Sequence, residues 1–454
     1  MNERVATPWF PNRAAAGAAL LLREPDRRWD LLLICLAGYV LTGVGRVHQV
    51  FAVLEPLRLT MVSSALAIAL YLVDRSRGRR LQPVLRVGIV RWIVGLGVWM
   101  GLSVPGALWA GGAFETFVEF TKMVVVCVIL VGAVRGVRDV ERLAFVYLLS
   151  VAIYAAAVIT RFQVGPGDWR LGSLYYYDAN EFAALAVISL PLGVYFIARP
   201  HPSWRRLASV PAVAALTVAI IWAGSRGGFL ALLAVGAFLL VRYTAIHLRW
   251  RILTAALLGV VFAATASDTY WEKMKTITKP KDDYNVTGEE GRLKVWKRGI
   301  GYMLEHPLLG VGAGNFSTAE GTLSPVARAA TVGRGVKWSV AHNSFVQIGA
   351  ELGVPGLILF AGALLGAFRA LGVVRQRARR VRPPGDGGPT SPNAPLAQAL
   401  SASLIGYVVG GFFLSLAHRD LLLVLLALVA ALRKVTPLAV PPATPSPRLV
   451  TWWS

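Results

Sequence analysis

Cysteine is almost missing from this chain of 454 residues: only Cys35 and Cys127 are present. Both fall inside apolar stretches and the outward connections hold none, so no disulfide framework organises the fold. Histidine is scarce too, with six residues and no cluster at ligand spacing, which removes a zinc-type site from consideration. Acidic residues are outnumbered, 24 Asp and Glu against 47 Lys and Arg. Asp282-Asp283 is the one acidic pair that suggests a divalent cation, and the expected metal requirement is none. Charge as a whole makes up only 16% of the chain, too little for an ordinary soluble protein. The first 28 residues lack the small-residue cleavage pattern of a signal peptide, and their one apolar run, Ala14 to Leu22, is too short to span a bilayer.

What remains is strongly apolar. Hydrophobic residues are 56% of the chain and the mean hydropathy is +0.57, which defines an all-α, polytopic integral membrane protein. About twelve apolar stretches of spanning character fall near residues 30–47, 51–73, 87–104, 113–134, 143–161, 180–198, 207–223, 226–242, 251–267, 354–374, 396–416 and 420–433. A net charge of +23 could suggest nucleic acid, but Arg and Lys that alternate with apolar spans orient helices instead, and no nucleic-acid partner is expected. Every second connection is arginine-rich, as at 75–80, 135–142, 199–206, 242–251 and 375–382, and these are assigned to the cytoplasm with both termini.

The expected organisation is a cytoplasmic segment over 1–29, nine spans over 30–267 and a large outward loop over 268–342. An outward helix start and three further spans occupy 343–433, and a disordered Pro-rich tail runs over 434–454. No fixed-period repeat and no pair of matching broken spans is visible.

Polar residues enter the spans at one end. Glu55 and Arg58, Glu115, Glu119 and Lys122, Asp178 and Glu181, Arg226, and Arg419 with Asp420 all lie at outer ends, whereas the inner halves look plain. Some are explained locally, as with Glu119 and Lys122 at i, i+3, and the roles of Glu115, Glu119 and Lys122 stay open. A shared sidedness still points to a site facing outward.

Three stretches on that face carry chemistry. Gly224-Ser-Arg226-Gly227 is a tight turn that opens a helix, with Ser225 as N-cap, so free backbone N–H groups and the Arg226 guanidinium address one small volume. That combination suits phosphate oxygens; the bland alternative is an arginine that anchors to lipid headgroups. Within the large loop, Leu293, Trp296, Ile300 and Met303 share one face of a helix and Lys294, Lys297 and Arg298 the other, which fits a membrane interface and delivers Arg292 to it. Ala341 to Gly356, AHNSFVQIGAELGVPG, places His342 just ahead of a helix capped by Asn343, where the positive end favours a neutral imidazole. Gly353, Pro355 and Gly356 then break the chain before an apolar helix. Gly310-Val-Gly312-Ala-Gly314 lacks dinucleotide-loop spacing and reads as a turn.

These motifs resemble a known family. His342-Asn343 followed by Gly353-Val-Pro-Gly356, together with Gly224-Ser-Arg-Gly-Gly228, Gly291-Arg-Leu-Lys-Val-Trp296 and His306-Pro-Leu-Leu-Gly310, look like the bacterial O-antigen ligase and polymerase superfamily over roughly residues 220 to 360. The resemblance implies a GT-C-like inner-membrane glycosyltransferase with a periplasmic active site and no cofactor. Its donor would be a glycan on undecaprenyl diphosphate, and its acceptor, for a ligase, lipid A–core oligosaccharide. His342 would serve as base, with Arg226 and Arg292 on the diphosphate and Arg170, Arg58, Arg419 and Asn343 as further candidates. A repeat-unit polymerase or a protein O-oligosaccharyltransferase would differ in acceptor, and a flippase or exporter would place charge pairs near the midplane instead.

Overall fold

The computed structural model describes residues 29–73, 84–161, 170–171, 176–198, 203–279, 288, 291–329, 338–380 and 393–436. Several expectations fall outside these residues: the 1–28 segment, Asp282-Asp283 and the tail from 437.

All regular structure among the described residues is helical. In chain order the helices are α1 (Leu31–Gly43), α2 (Val47–Val50), α3 (Leu59–Val73), α4 (Gly88–Ser103), α5 (Ala110–Ala133) and α6 (Val137–Arg161). They continue as α7 (Ala179–Ala198), α8 (Ser203–Ala223), α9 (Arg226–Arg242), α10 (Leu248–Thr265) and α11 (Asp268–Lys275). The large loop then holds α12 (Arg292–Glu305), α13 (Phe316–Thr322) and α14 (Pro325–Ala329), before α15 (Ser344–Arg380), α16 (Asn393–Gly411) and α17 (Asp420–Val435).

Each of the twelve apolar stretches is a helix, but among the described residues only eight are long and apolar enough to cross a membrane. Three of the other four are shorter helices: α1 with 13 residues, α17 with 16 and α9 with 17, or about 20 to 26 Å at about 1.5 Å per residue. The other is α10, which turns through 108° into α11 and forms at most a broken ninth span. Aromatic edges fix that bend: Phe229 and Phe262 meet Tyr270 and Trp271 at centroid separations of 5.6 to 6.5 Å.

The basic residues do more than bias orientation. Lys434 donates to the carbonyls of Gly132 at 3.0 Å and Val134 at 2.8 Å, a cation on the negative end of α5. Arg251 caps the end of α9 through the carbonyl of Leu239 at 3.4 Å and that of Leu240. Arg142 pairs with buried Asp139 at 3.0 Å, and Arg135 bridges Asp139 and Asp30. Tyr195 donates to buried Glu141. Asp139 and Glu141, one helical turn into α6, are buried carboxylates that local pairing makes tolerable. Glu119 and Lys122 are an exposed local pair at 2.6 Å, as their spacing predicts.

Candidate active site

His342 occupies the left-handed region at φ 48°, a conformation that non-glycine residues adopt only where surroundings enforce it. The enforcement comes from the turn after α16. The His342 N–H donates to Ser415 Oγ at 2.9 Å, Ser344 Oγ donates to the Leu414 carbonyl at 2.7 Å, and the Leu416 N–H donates back to Ser344 Oγ at 2.9 Å. Asn343 caps α15 as its position predicts, its Oδ1 accepting from the N–H groups of Phe345 at 2.9 Å and Val346 at 3.1 Å. Asn343 is buried, so its part is to start the helix; His342 is half-exposed.

The same turn gathers the two arginine segments. Gly227, next to Arg226, packs so closely on Phe413 that a Cβ there would lie 3.0 Å from the Phe413 Cβ. Trp296, one turn after Arg292, stacks edge-on against Phe412 at 5.2 Å and donates its indole N–H to the Ala341 carbonyl at 2.9 Å. Phe412 to Ser415 thus touches all three stretches singled out in the sequence, which lie 66 and 50 residues apart when counted from Arg226 to Arg292 to His342. Nothing in its composition, an apolar Phe-Phe-Leu-Ser at a helix end, marked it beforehand.

Arg226 sits as its turn predicts. Gly224 has φ 55°, Ser225 Oγ accepts from the Gly228 N–H at 3.1 Å, and Arg226 opens α9 half-buried, with Nη1 donating to Thr276 Oγ1 at 2.8 Å. Arg292 opens α12 from a Gly291 N-cap. Arg170 lies beside this region, since the N–H of its neighbour Leu171 donates to the Trp222 carbonyl at 2.8 Å. Arg419 is engaged elsewhere: its guanidinium donates to Tyr176 Oη at 2.5 Å and Glu181 Oε1 at 3.4 Å. Arg46, absent from the sequence reading, covers the Tyr176 ring at 3.9 Å and meets Asp420 at 3.3 Å. Arg58 is exposed at the end of the 3-10 turn Ala52–Leu57, and no hydrogen bond or ion pair among the described residues links it to Phe412–Ser415.

The packing of α12 shows which face meets the protein. Its buried face is Val295, Gly299 and Tyr302, whereas Leu293 and Ile300, on the face expected at a membrane interface, are exposed. Gly299 decides this, since a Cβ there would lie 2.5 Å from Val346 and 2.8 Å from Phe316; hydrophobic periodicity cannot register a contact made by a missing side chain. Arg298, assigned to the polar face, turns inward to a bidentate pair with buried Glu320, which Tyr302 also bonds at 2.8 Å. Burial and this neighbouring carboxylate push the Tyr302 phenol well above its usual range.

The expected break at Gly353 is present, with φ 67° and ψ −168°. Breaking the helix leaves carbonyls without partners, and the glycine turn supplies them. Val311 N–H donates to the Ala350 carbonyl at 2.9 Å, Gly312 N–H to that of Glu351 at 3.0 Å, and the Trp99 indole to that of Leu352 at 3.0 Å. Gly310 is required, because a Cβ there would lie 2.3 Å from the Glu351 carbonyl carbon. The run Gly310 to Gly314 is a turn, as read, and it clasps the kink. Inside the clasp, Glu351 is 1% exposed and His418 faces it at 3.6 Å. Burial, with adjacent Arg419, holds the His418 imidazole down at about 4, so it is neutral and this contact is not a pair of full charges.

An all-helical membrane protein with a polar centre gathered at one end of its helices is the class these features define. Residues 210–361, roughly a third of the chain, match the O-antigen ligase family model, which supports the O-antigen ligase superfamily for this protein. The match contains Arg226, Arg292 and His342 but stops before Phe412–Ser415. No curated protein matches the chain.

Proposed function

We propose that this protein is an O-antigen ligase that transfers glycan from undecaprenyl diphosphate to a hydroxyl of lipid A–core oligosaccharide at the periplasmic face of the inner membrane. The family match supports a glycosyltransferase-like membrane enzyme acting on lipid-linked glycans. The observation that carries the reading to particular residues is the convergence of the His342, Arg226 and Arg292 segments on Phe412–Ser415.

In this mechanism neutral His342 takes the proton of the acceptor hydroxyl as its oxygen attacks the anomeric carbon. The bond from that carbon to the diphosphate oxygen breaks with its electrons, and Arg226 and Arg292 meet the charge that gathers on the leaving diphosphate. Displacement in one step inverts the anomeric centre. Arg170 is a further candidate, tied to the Arg226 turn through the bond of its neighbour Leu171 to the Trp222 carbonyl, whereas Arg419, committed to Tyr176 and Glu181, braces the segment that seats His342.

A repeat-unit polymerase would use the same chemistry on a different acceptor. A strain lacking this protein separates the two: the ligase reading expects lipopolysaccharide without long chains while lipid-linked polymer accumulates. A core bearing a single repeat would instead make the protein a polymerase. Sidedness is tested by a cysteine at Ser317, which should react with a membrane-impermeant thiol reagent in intact spheroplasts, whereas one at Ser391 should not. The reverse labelling would place the site in the cytoplasm.

A further inference from the structure

Glu351 is the one carboxylate in the α15 segment that follows His342, and it is buried on every side. Burying such a group is costly unless it is satisfied, so its partners say what it is for. Oε2 accepts the Gly314 N–H at 3.0 Å, and Oε1 accepts Gln347 Nε2 at 3.3 Å. The third neighbour is His418, whose Nε2 lies 3.6 Å from Oε2 and has no hydrogen-bond partner of its own. Each belongs to a different segment: Gly314 to the turn that clasps the kink, Gln347 to the first turn of α15, and His418 to the connection that contains Ser415. His418 is itself held edge-on by Phe120 at 6.1 Å.

From this geometry we infer that Glu351 is a positioning residue, which fixes the Phe412–Arg419 connection against α15 and thereby sets the left-handed backbone of His342. The connection reaches His342 by two routes, the Ser415 hydroxyl and the Leu414–Ser344–Leu416 exchange. Glu351 touches neither His342 nor the arginines by any contact described above, so its effect passes through His418 and through the glycine turn. A carboxylate is suited to the task because its two oxygens accept from two segments at once and leave an edge for the third.

The inference rests on His342 being the catalytic base, and two measurements keep the two ideas apart. Glu351→Ala should lower kcat by about 10²-fold, the scale of a misplaced catalytic group, with the donor KM nearly unchanged. Glu351→Gln, whose amide oxygen still accepts the Gly314 N–H, should recover most of that loss. In a double-mutant cycle, Glu351→Ala and Ser415→Ala should be far from additive, because both act on the same turn. A nitroxide on His342→Cys should become more mobile when Glu351→Ala is added, a readout that needs no activity. Should the spin label loosen while His342→Ala keeps its turnover, the positioning role stands and the base assignment falls. A spin label no more mobile with Glu351→Ala than without it, or additive effects with Ser415→Ala, would overturn the proposal. If Glu351→Ala does not fold, His418→Phe takes its place: it keeps the ring volume against Phe120 but removes the nitrogen facing the carboxylate. It should reproduce the kcat loss and loosen the label, and a label that stays rigid there would also overturn the proposal.

Discussion

Replacing His342 with alanine should abolish glycan transfer while leaving a folded protein. A general base is worth roughly 10²- to 10⁴-fold, and among the described residues no other imidazole takes its place in the seat that Ser415 and Ala341 build. His418 is buried and neutral against Glu351, so it cannot stand in for His342. The structural cost should be small, because His342 is half-exposed and its backbone amide, not its side chain, makes the bond to Ser415. Turnover of the purified variant on a lipid-linked donor, compared with its thermal unfolding midpoint, checks both halves. Near-normal turnover would remove His342 from the mechanism.

The second large effect belongs to Arg226 and Arg292. Alanine at either should cut donor turnover at subsaturating lipid by about 10²-fold, the scale of losing one preorganised charge at a developing anion. Lysine keeps the charge but loses the two-pronged fork, so it should fall between alanine and wild type. The acceptor KM should change little, because the interaction strengthens as the leaving group gains charge. Arg226 offers a further handle, since Thr276 holds one of its nitrogens. EDTA should leave the rate nearly unchanged. If an alanine variant kept wild-type turnover, that arginine would be a headgroup anchor; if EDTA stopped the reaction and Mg²⁺ or Mn²⁺ restored it, Asp282-Asp283 would become the better candidates.

Much of the architecture was legible because it is written in local signals. Apolar stretches became helices, Asn343 and Ser225 became caps through their own side-chain oxygens, and Gly353 became a break because it alone tolerates φ 67° against the Pro307 and Leu308 carbonyls. Hydropathy marked the apolar stretches but not where their helices stop, since it does not register that α1 ends at Gly43 or that α10 bends into α11. The site was half legible. Arg226, Arg292 and His342 were marked by turn and cap chemistry, but the apolar Phe412–Ser415 turn that joins them carries no such mark. Arg46 was missed because one arginine in a short connection looks like any other; its left-handed backbone and its place over Tyr176 exist only in three dimensions. Glu351 was hidden for a similar reason, as an acid inside an amphipathic stretch whose burial depends on a loop some forty residues upstream.

The seat of His342 also bears on the order of synthesis. Ser415 and Phe412 emerge from the ribosome some seventy residues after the histidine they hold, at the end of α16. A nascent chain that has already inserted everything through α15 therefore contains every residue assigned to the chemistry but lacks the Ser415 hydroxyl and the Leu414–Leu416 backbone that hold His342. Those contacts arrive only with the chain that follows α16. On the proposed function, the complete seat for the base is thus one of the last parts of the chain to be made.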